Sequence, residues 1–584
     1  MKYKYFLSAL IAFLPVLIQE ACSQETQSQK NQNPAIFNKF NKSVFGPNVL
    51  VFEPSMNMRE IQTVLDTIFA RLTVRRSEFS KNRYAMLFKQ GEYDLDVRVE
   101  YYMEVLGLGI SPEDVIIKGA VRSNTTHGNS VLTNFWRSVG NMTIVPKDTT
   151  MVWGVSQAAP LRRVHIRGNL QLFDKGYASG GFLADSKVDG TITSGPQQQW
   201  LTRNSDMGKW VGGNWNMMFI GVPQAPEENW PEKPYTTIEK TPVVREKPFL
   251  AFDKKGYSVI IPAIKQNSTG TEWIDGFKPE KSIPLSKFYL ANAETDNSKT
   301  INEALKRGKH LFFTPGRYFL DESLKVTRPG TVVMGIGLAT LIPTRGNSVM
   351  DISDVDGIIL SGLTIDAGSV FSKKLMVVGE PGSVKVHAKN PVFMYDIFFR
   401  VGGPAEGAAQ MCLEINSNDV IIDHTWIWRA DHGNGVGWNK NRCANGLVVN
   451  GNNVTIYGLF NEHFQEYQTL WNGNGGKVYF YQSEMPYDPP TAEAWTHNGV
   501  NGYASYKVSD HVTSHEAWGL GIYNVFYDAP VVVDNAIEAP AALEDKFHHL
   551  IIFWLNGNKE SYVKSIINGK GNRIDINNRK STLK

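Results

Sequence analysis

The chain has 584 residues, 42% hydrophobic and 20% charged, which is too long for one compact core and too apolar for wholesale disorder. Its 60 basic and 57 acidic residues leave a net charge of +3, so recognition of nucleic acid through a general basic surface is excluded. Three cysteines without a C-x-x-C pair exclude a disulfide scaffold and a structural zinc ribbon, whereas 14 Trp and 51 Gly point to a turn-rich β protein with aromatic binding surfaces.

Lys2 and Lys4 precede an apolar run over 6–18, which Gln19 and Glu20 interrupt. This pattern predicts a secretory signal over residues 1–21, too short for a stable membrane span. Cys22 follows Ala21, so a lipid anchor at Cys22 and simple cleavage near Ala21 both fit; either places the protein outside the cytoplasm, secreted, periplasmic or on the outer surface. Residues 22–47 read as a polar tether.

Beyond residue 47 the chain repeats itself. Y-A-M-L-F-K-Q-G-E-Y-D-L at 84–95 leads to G-L-G at 107–109, and H-L-F-F-T-P-G-R-Y-F-L-D at 310–321 leads to G-I-G at 335–337. A short helical pattern precedes each, over 61–65 and over 301–305. Two related domains are expected, 48–222 and 285–584, joined by a proline-bearing linker over 223–284. In the second, strand-like segments recur with Leu363, Ile397, Trp426, Leu459, Ser483 and Val512 in one column. The intervals suit the turns of a solenoid, and nine Asn-Gly dipeptides between 434 and 569 supply sharp corners. The expected fold is all-β: two tandem right-handed parallel β-helices of the pectin-lyase-like kind, side by side. A sandwich or propeller with Asn-Gly hairpins is the rival.

A β-helix stacks side chains of successive turns about 4.8 Å apart. Glu484, Glu462 and Asp431 fall at odd offsets from the column, on one expected face, among Trp428, Trp438, Trp471, Tyr487 and Trp495. Stacked carboxyls do not all ionise cheaply, so one keeps its proton and can serve as a general acid for glycoside cleavage. Taken singly, each Glu reads first as an ordinary surface carboxylate; three on one face among these rings read equally as a carbohydrate cleft. His463 reads as a hydrogen-bonding or stacking residue, since no H-x-H or H-E-x-x-H spacing marks a metal site. In the first domain Gln171, Ser179, Ser186 and the run 197–199 ahead of Trp200 and Arg203 form a polar set. It is either a structural ladder or an array holding water or sugar. No cofactor and no metal are expected.

The stretches S-Q-A-A-P-L-R-R-V-H-I-R-G-N-L (156–170), S-G-P-Q-Q-Q-W-L-T-R-N-S (194–205), R-E-K-P-F-L (245–250), W-I-W-R-A-D-H-G (426–433) and S-E-M-P-Y-D-P-P (483–490) resemble bacterial members of glycoside hydrolase family 55. These are exo-β-1,3-glucanases, or laminarinases. The resemblance spans roughly 45–570. It implies paired β-helices, an inverting mechanism, a β-1,3-glucan substrate, and Glu484 as the general acid. It further implies that Trp428, Asp431, Glu462 and Tyr487 contact sugar or tune charge; His463, Trp471 and Gln199 are substrate-binding candidates beside them. It also implies a water held by Gln and Ser from the first domain, with Gln171 the first candidate and Ser179 and Ser186 next. A β-helix polysaccharide lyase and a non-catalytic glycan-binding surface protein are the alternatives.

Overall fold

The structure, a computed structural model, describes Phe40 and residues 44–584. The expected signal segment and Cys22 lie outside the described residues. The fold is all-β and is built from two parallel β-helices. In the first, nine strands from Val49–Phe52 to Tyr235–Ile238 stack in one parallel ladder. That ladder runs past residue 222, so the boundary expected there falls inside the first sheet. In the second, ten parallel strands from Phe288–Ala291 to Phe547–Gly557 form one face, and nine from Leu324–Val326 to Tyr562–Ile567 form another. The antiparallel strand Lys580–Leu583 closes the last edge, which removes an unpaired template for association.

Each coil begins under an amphipathic helix at the place the periodicity predicts. Met58–Leu72 starts at Asn57, whose side chain accepts from the amides of Arg59 and Glu60; Ser298–Lys306 starts at Asn297, whose side chain accepts from Thr300. Their apolar stripes (Ile61, Val64, Leu65 and Ile68; Ile301, Ala304 and Leu305) are buried against the first turns.

The register corrects the expected column. Thr425 pairs with Leu459, and Leu459 with Tyr481, so Trp426 stands one residue late and Ser483 two. Val512 is in a turn, and Leu520 takes its place. Each long strand also bends at one position. Gly362, Asp396, His424, Gly458, Phe480, Gly519 and His549 stack on successive turns with φ between 49° and 73°. Glycine is needed where the other coil comes nearest: a Cβ on Gly458 would lie 3.1 Å from Leu201, and one on Gly519 3.2 Å from Asn216.

The two long sheets face each other across a shared apolar layer containing Leu87, Phe182, Leu201 and Met218 from one coil and Met334, Phe398, Tyr457 and Phe460 from the other. Buried charges cross it. Arg162 forks onto Asp396 with two 2.9 Å contacts and reaches Asp423 at 2.7 Å, while Arg203 grips Asp423 and Glu246. Lys247 bonds Asp396 at 2.9 Å, and Tyr395 donates to the Arg245 carbonyl. The R-E-K-P-F-L word is thus a wedge that locks the coils together.

Candidate active site

Side chains alternate along the second coil's facing strands, and the alternation decides what reaches the cleft. Leu459 and Tyr481 point into the coil, as do Asn461 and Ser483, whose polar atoms bond within it. Phe460, Gln482, Glu462 and Glu484 therefore point out. The outward column three residues beyond Thr425, Leu459, Tyr481 and Leu520 reads Trp428, Glu462, Glu484, Tyr523. Glu462 and Glu484 stand on adjacent turns, 22 residues apart, and the backbone of His463 donates to the Glu484 carbonyl at 2.8 Å.

Glu462 is buried at 2% exposure and held from both coils. Trp426 Nε1 donates to its Oε2 at 2.8 Å, and Gln157 Nε2, from the first coil, donates to its Oε1 at 3.1 Å. Burial raises its pKa, opposed by the His463 ring and by bonds from Trp426, Gln482 and Gln157. Glu484 is half-buried, accepts from Gln482 Nε2 at 3.4 Å and from the Tyr487 hydroxyl, and is pushed well above the usual carboxylate range. Burial is the first cause; the charges of Glu462 and Asp431 add to it. An acid so placed holds its proton to higher pH than an ordinary carboxyl does.

Asp431 reaches the same site by another route. It lies on a bend beyond the strand Ile421–Arg429, six residues past Thr425, so it is not a third rung of the Glu ladder. Desolvation works against its charge, but the 2.8 Å bond to His432 and the ring of His463 hold its pKa down to about 2. The pKa of one ladder carboxyl is therefore raised while that of its neighbour on the bend is lowered.

Across the cleft, the first coil presents a chain of amides. Gln199 Nε2 donates to Ser179 Oγ at 3.1 Å, and Gln157 Nε2 approaches the same oxygen at 3.4 Å. The Oε1 atoms of Gln157, Gln199 and Gln482 are buried without a hydrogen-bond partner among the described residues. Such atoms are costly unless something donates to them. Aromatic rings bound the site on two sides. Phe79 of the first coil lies parallel to Trp428 at 6.4 Å and 5.5 Å from the His432 ring. On the other side Trp215, again from the first coil, lies tilted against Tyr523 at 5.0 Å and stacks on Phe553 at 4.7 Å. Gly521 is required beside it, because a Cβ there would sit 2.3 Å from the Tyr523 hydroxyl.

Comparison with known proteins bears on what this cleft belongs to. The family model for the LAM55 pectate lyase-like domain matches residues 288–484. An exo-β-1,3-glucanase of Streptomyces sp. (strain SirexAA-E / ActE) is 45% identical over 518 residues, covering 88% of this chain and 85% of that protein. The solved structure of sacteLam55A from Streptomyces sp. SirexAA-E superposes with a TM-score of 0.89 at 42% identity, covering 93% of this chain and 98% of that one. A variant of sacteLam55A in complex with glucose matches with the same figures.

The chain belongs to glycoside hydrolase family 55.

Within this family-55 fold, Glu484, Glu462, Asp431, Tyr487, His463, Ser179 and Gln199 come together, Trp428 stands in the wall beside them, and three other expected residues lie elsewhere. Gln171 ends the strand Asn169–Gln171, which pairs with the strands Thr150–Val152 and Lys187–Thr193 on a branch off the nine-strand ladder, and its amide bonds the Phe173 carbonyl at 3.0 Å. Ser186 is a buried corner, donating to the Ala184 carbonyl and accepting from the Val164 amide. Trp471 lies wholly inside the second coil beside Tyr506 and His515, because it follows Val449 inward on another sheet. Trp428 has the right column but is 1% exposed under Phe79, Phe135 and Trp136, so it is a wall and not an open platform. His463 is buried and acts by position: its ring packs edge-on against Tyr487 at 4.4 Å, fixing the phenol that bonds Glu484. Trp495 is buried, and Trp438 lies beyond Arg429, away from the carboxyls.

Gln157, Gln482, Trp426 and Tyr523 are site residues that the sequence reading missed. Gln157 lies within the S-Q-A-A-P stretch, and its only further mark is a left-handed φ of 32° at a bend. Gln482 sits two residues before Glu484, the spacing that returns a strand residue to the same face.

Proposed function

We propose that this chain is an exported exo-β-1,3-glucanase that hydrolyses laminarin-like glucan with inversion of the anomeric centre. The observation that carries the mechanism is the Gln157–Glu462 bond beside Glu484, whose pKa burial and neighbouring charges raise. Glu484 gives its proton to the glycosidic oxygen as the C1–O bond breaks. A water held by the Ser179 hydroxyl and the Gln157 amide oxygen attacks C1 from the opposite face. As it bonds, one water proton passes to Gln157 Oε1 while an Nε2 proton passes to Glu462, so atoms and charge balance. Gln482, in contact with both carboxyls, provides the return path. Asp431, held ionised, accepts sugar hydroxyls.

The aromatic pair Phe79 and Trp428 stands as an end wall, which supports exo action. The charges of Glu462 and Asp431 would repel a uronate chain, which favours a neutral glucan over a lyase substrate. The basic start and apolar run of residues 1–21 support export. Proton NMR of the first products from laminarin tests the reading: the α-anomer appears first under inversion. Initial β-anomer would make a carboxylate the nucleophile and overturn the water mechanism.

A further inference from the structure

Past the catalytic column, the second coil turns a corner between its two main sheets, and residues of five consecutive turns line a hollow there of about 500 Å³. Phe371, Gln410, Arg442, Glu466 and Ala494 each come from a different turn. At about 4.8 Å per turn, four spacings extend the hollow over roughly 19 Å, the shape of a groove for an elongated ligand. Phe371 is 42% exposed, and the Arg442 guanidinium stands 5.9 Å from its ring. Trp438, half-buried, forms the floor, and Gln465 pins it by donating to its carbonyl at 2.8 Å while accepting from the Cys443 amide.

Two exposed or half-exposed rings in a concave site, with an amide, a guanidinium and a carboxylate on its rim, match the flat apolar faces and hydroxyl edges of a sugar chain. The rim pairs one basic side chain, Arg442, with one acidic, Glu466, so it suits an uncharged polymer. Its place is tied to the catalytic cleft. Asp431 and Trp438 lie on the same connection, and Gln465 follows Glu462 by three residues. Arg429 is the partition: it bonds Asp488 twice at 2.9 Å and the His463 carbonyl at 3.1 Å, and its guanidinium is 5.7 Å from Trp438.

We infer that the hollow floored by Trp438 and rimmed by Phe371 and Arg442 is a second, non-catalytic binding site for a neutral β-1,3-glucan chain, running beside the cleft and holding the polymer while its end is cleaved. The inference rests on the glucanase reading for its ligand class, and the two are tested separately.

Affinity electrophoresis through gels containing laminarin, with Glu484→Gln in every protein to stop turnover, reads the hollow. Trp438→Ala should weaken retention about tenfold, the scale of losing one aromatic anchor. Trp438→Ala can also disturb the Asp431 bend, so Phe371→Ala with Arg442→Ala, both on exposed side chains, is the second variant and should weaken retention as well. In the otherwise wild-type enzyme these rim changes should raise KM for laminarin while leaving kcat/KM for laminaritriose within about twofold, since one short chain fills only the cleft. Unchanged retention in both variants, or equal retention by gels containing the α-glucan pullulan, would overturn the assignment. Laminaritriose turnover by the unmodified enzyme is the separate readout of the glucanase reading. Its absence would sink that reading, while the laminarin gel shifts still report on the hollow.

Discussion

Gln157 and Glu462 stand 305 positions apart in the chain, and a 3.1 Å hydrogen bond joins them on the floor of the cleft. Each comes from a different coil, so the proposed proton path exists only when the two coils are docked. Gln157→Ala should therefore lower kcat by about two to three decades with a much smaller change in KM, because the bond matters to water attack and not to sugar binding. A loss confined to KM would remove Gln157 from the path.

Glu484→Gln tests the acid. Turnover of laminarin should fall by about two to four decades. A dinitrophenyl β-glucoside, whose leaving group needs no proton, should recover much of the loss. Equal damage on both substrates would argue against the role.

The pH dependence follows from the raised pKa of Glu484. Its proton must be present for catalysis, so activity persists above the ordinary carboxylate range and falls as pH rises through the raised pKa. Glu462→Gln removes one like charge, which lowers the pKa of Glu484. The alkaline limb of the surviving kcat/KM profile should then move to lower pH. A limb that stays in place or moves upward would dismiss the coupling between the two carboxyls.

Asp423 carries the last prediction, which concerns stability. It neutralises both Arg162 and Arg203 inside the layer between the coils. Asp423→Ala leaves excess positive charge buried and should cost about 3–5 kcal/mol in urea unfolding. A cost below about 1 kcal/mol would mean that Asp396 and Glu246 neutralise the two guanidiniums unaided.

The sequence by itself determined the features that repeat locally. Self-similar strand, turn and corner segments require stacking to bury their apolar faces, so the coiled β architecture and its two starting helices were legible in the order of residues. The Glu462 and Glu484 pair was legible for the same reason, because both lie on strands one turn apart and alternation fixes their face. What the tertiary structure alone decided is the register and everything that crosses between the coils. A parallel turn can lengthen from 22 to 39 residues by changing a loop, and no local pattern marks where the strand resumes. This is why Trp426 and Ser483 entered the column one and two residues late, and why Asp431 was placed on a strand that had already ended. Gln171 and Gln157 are both polar residues of the first coil with no period to separate them. Only the packing of that coil against Phe460 and Glu462 puts Gln157 in the cleft and leaves Gln171 on a branch off the facing ladder, because a side chain's partner across an interface is set by docking and not by its neighbours in the chain.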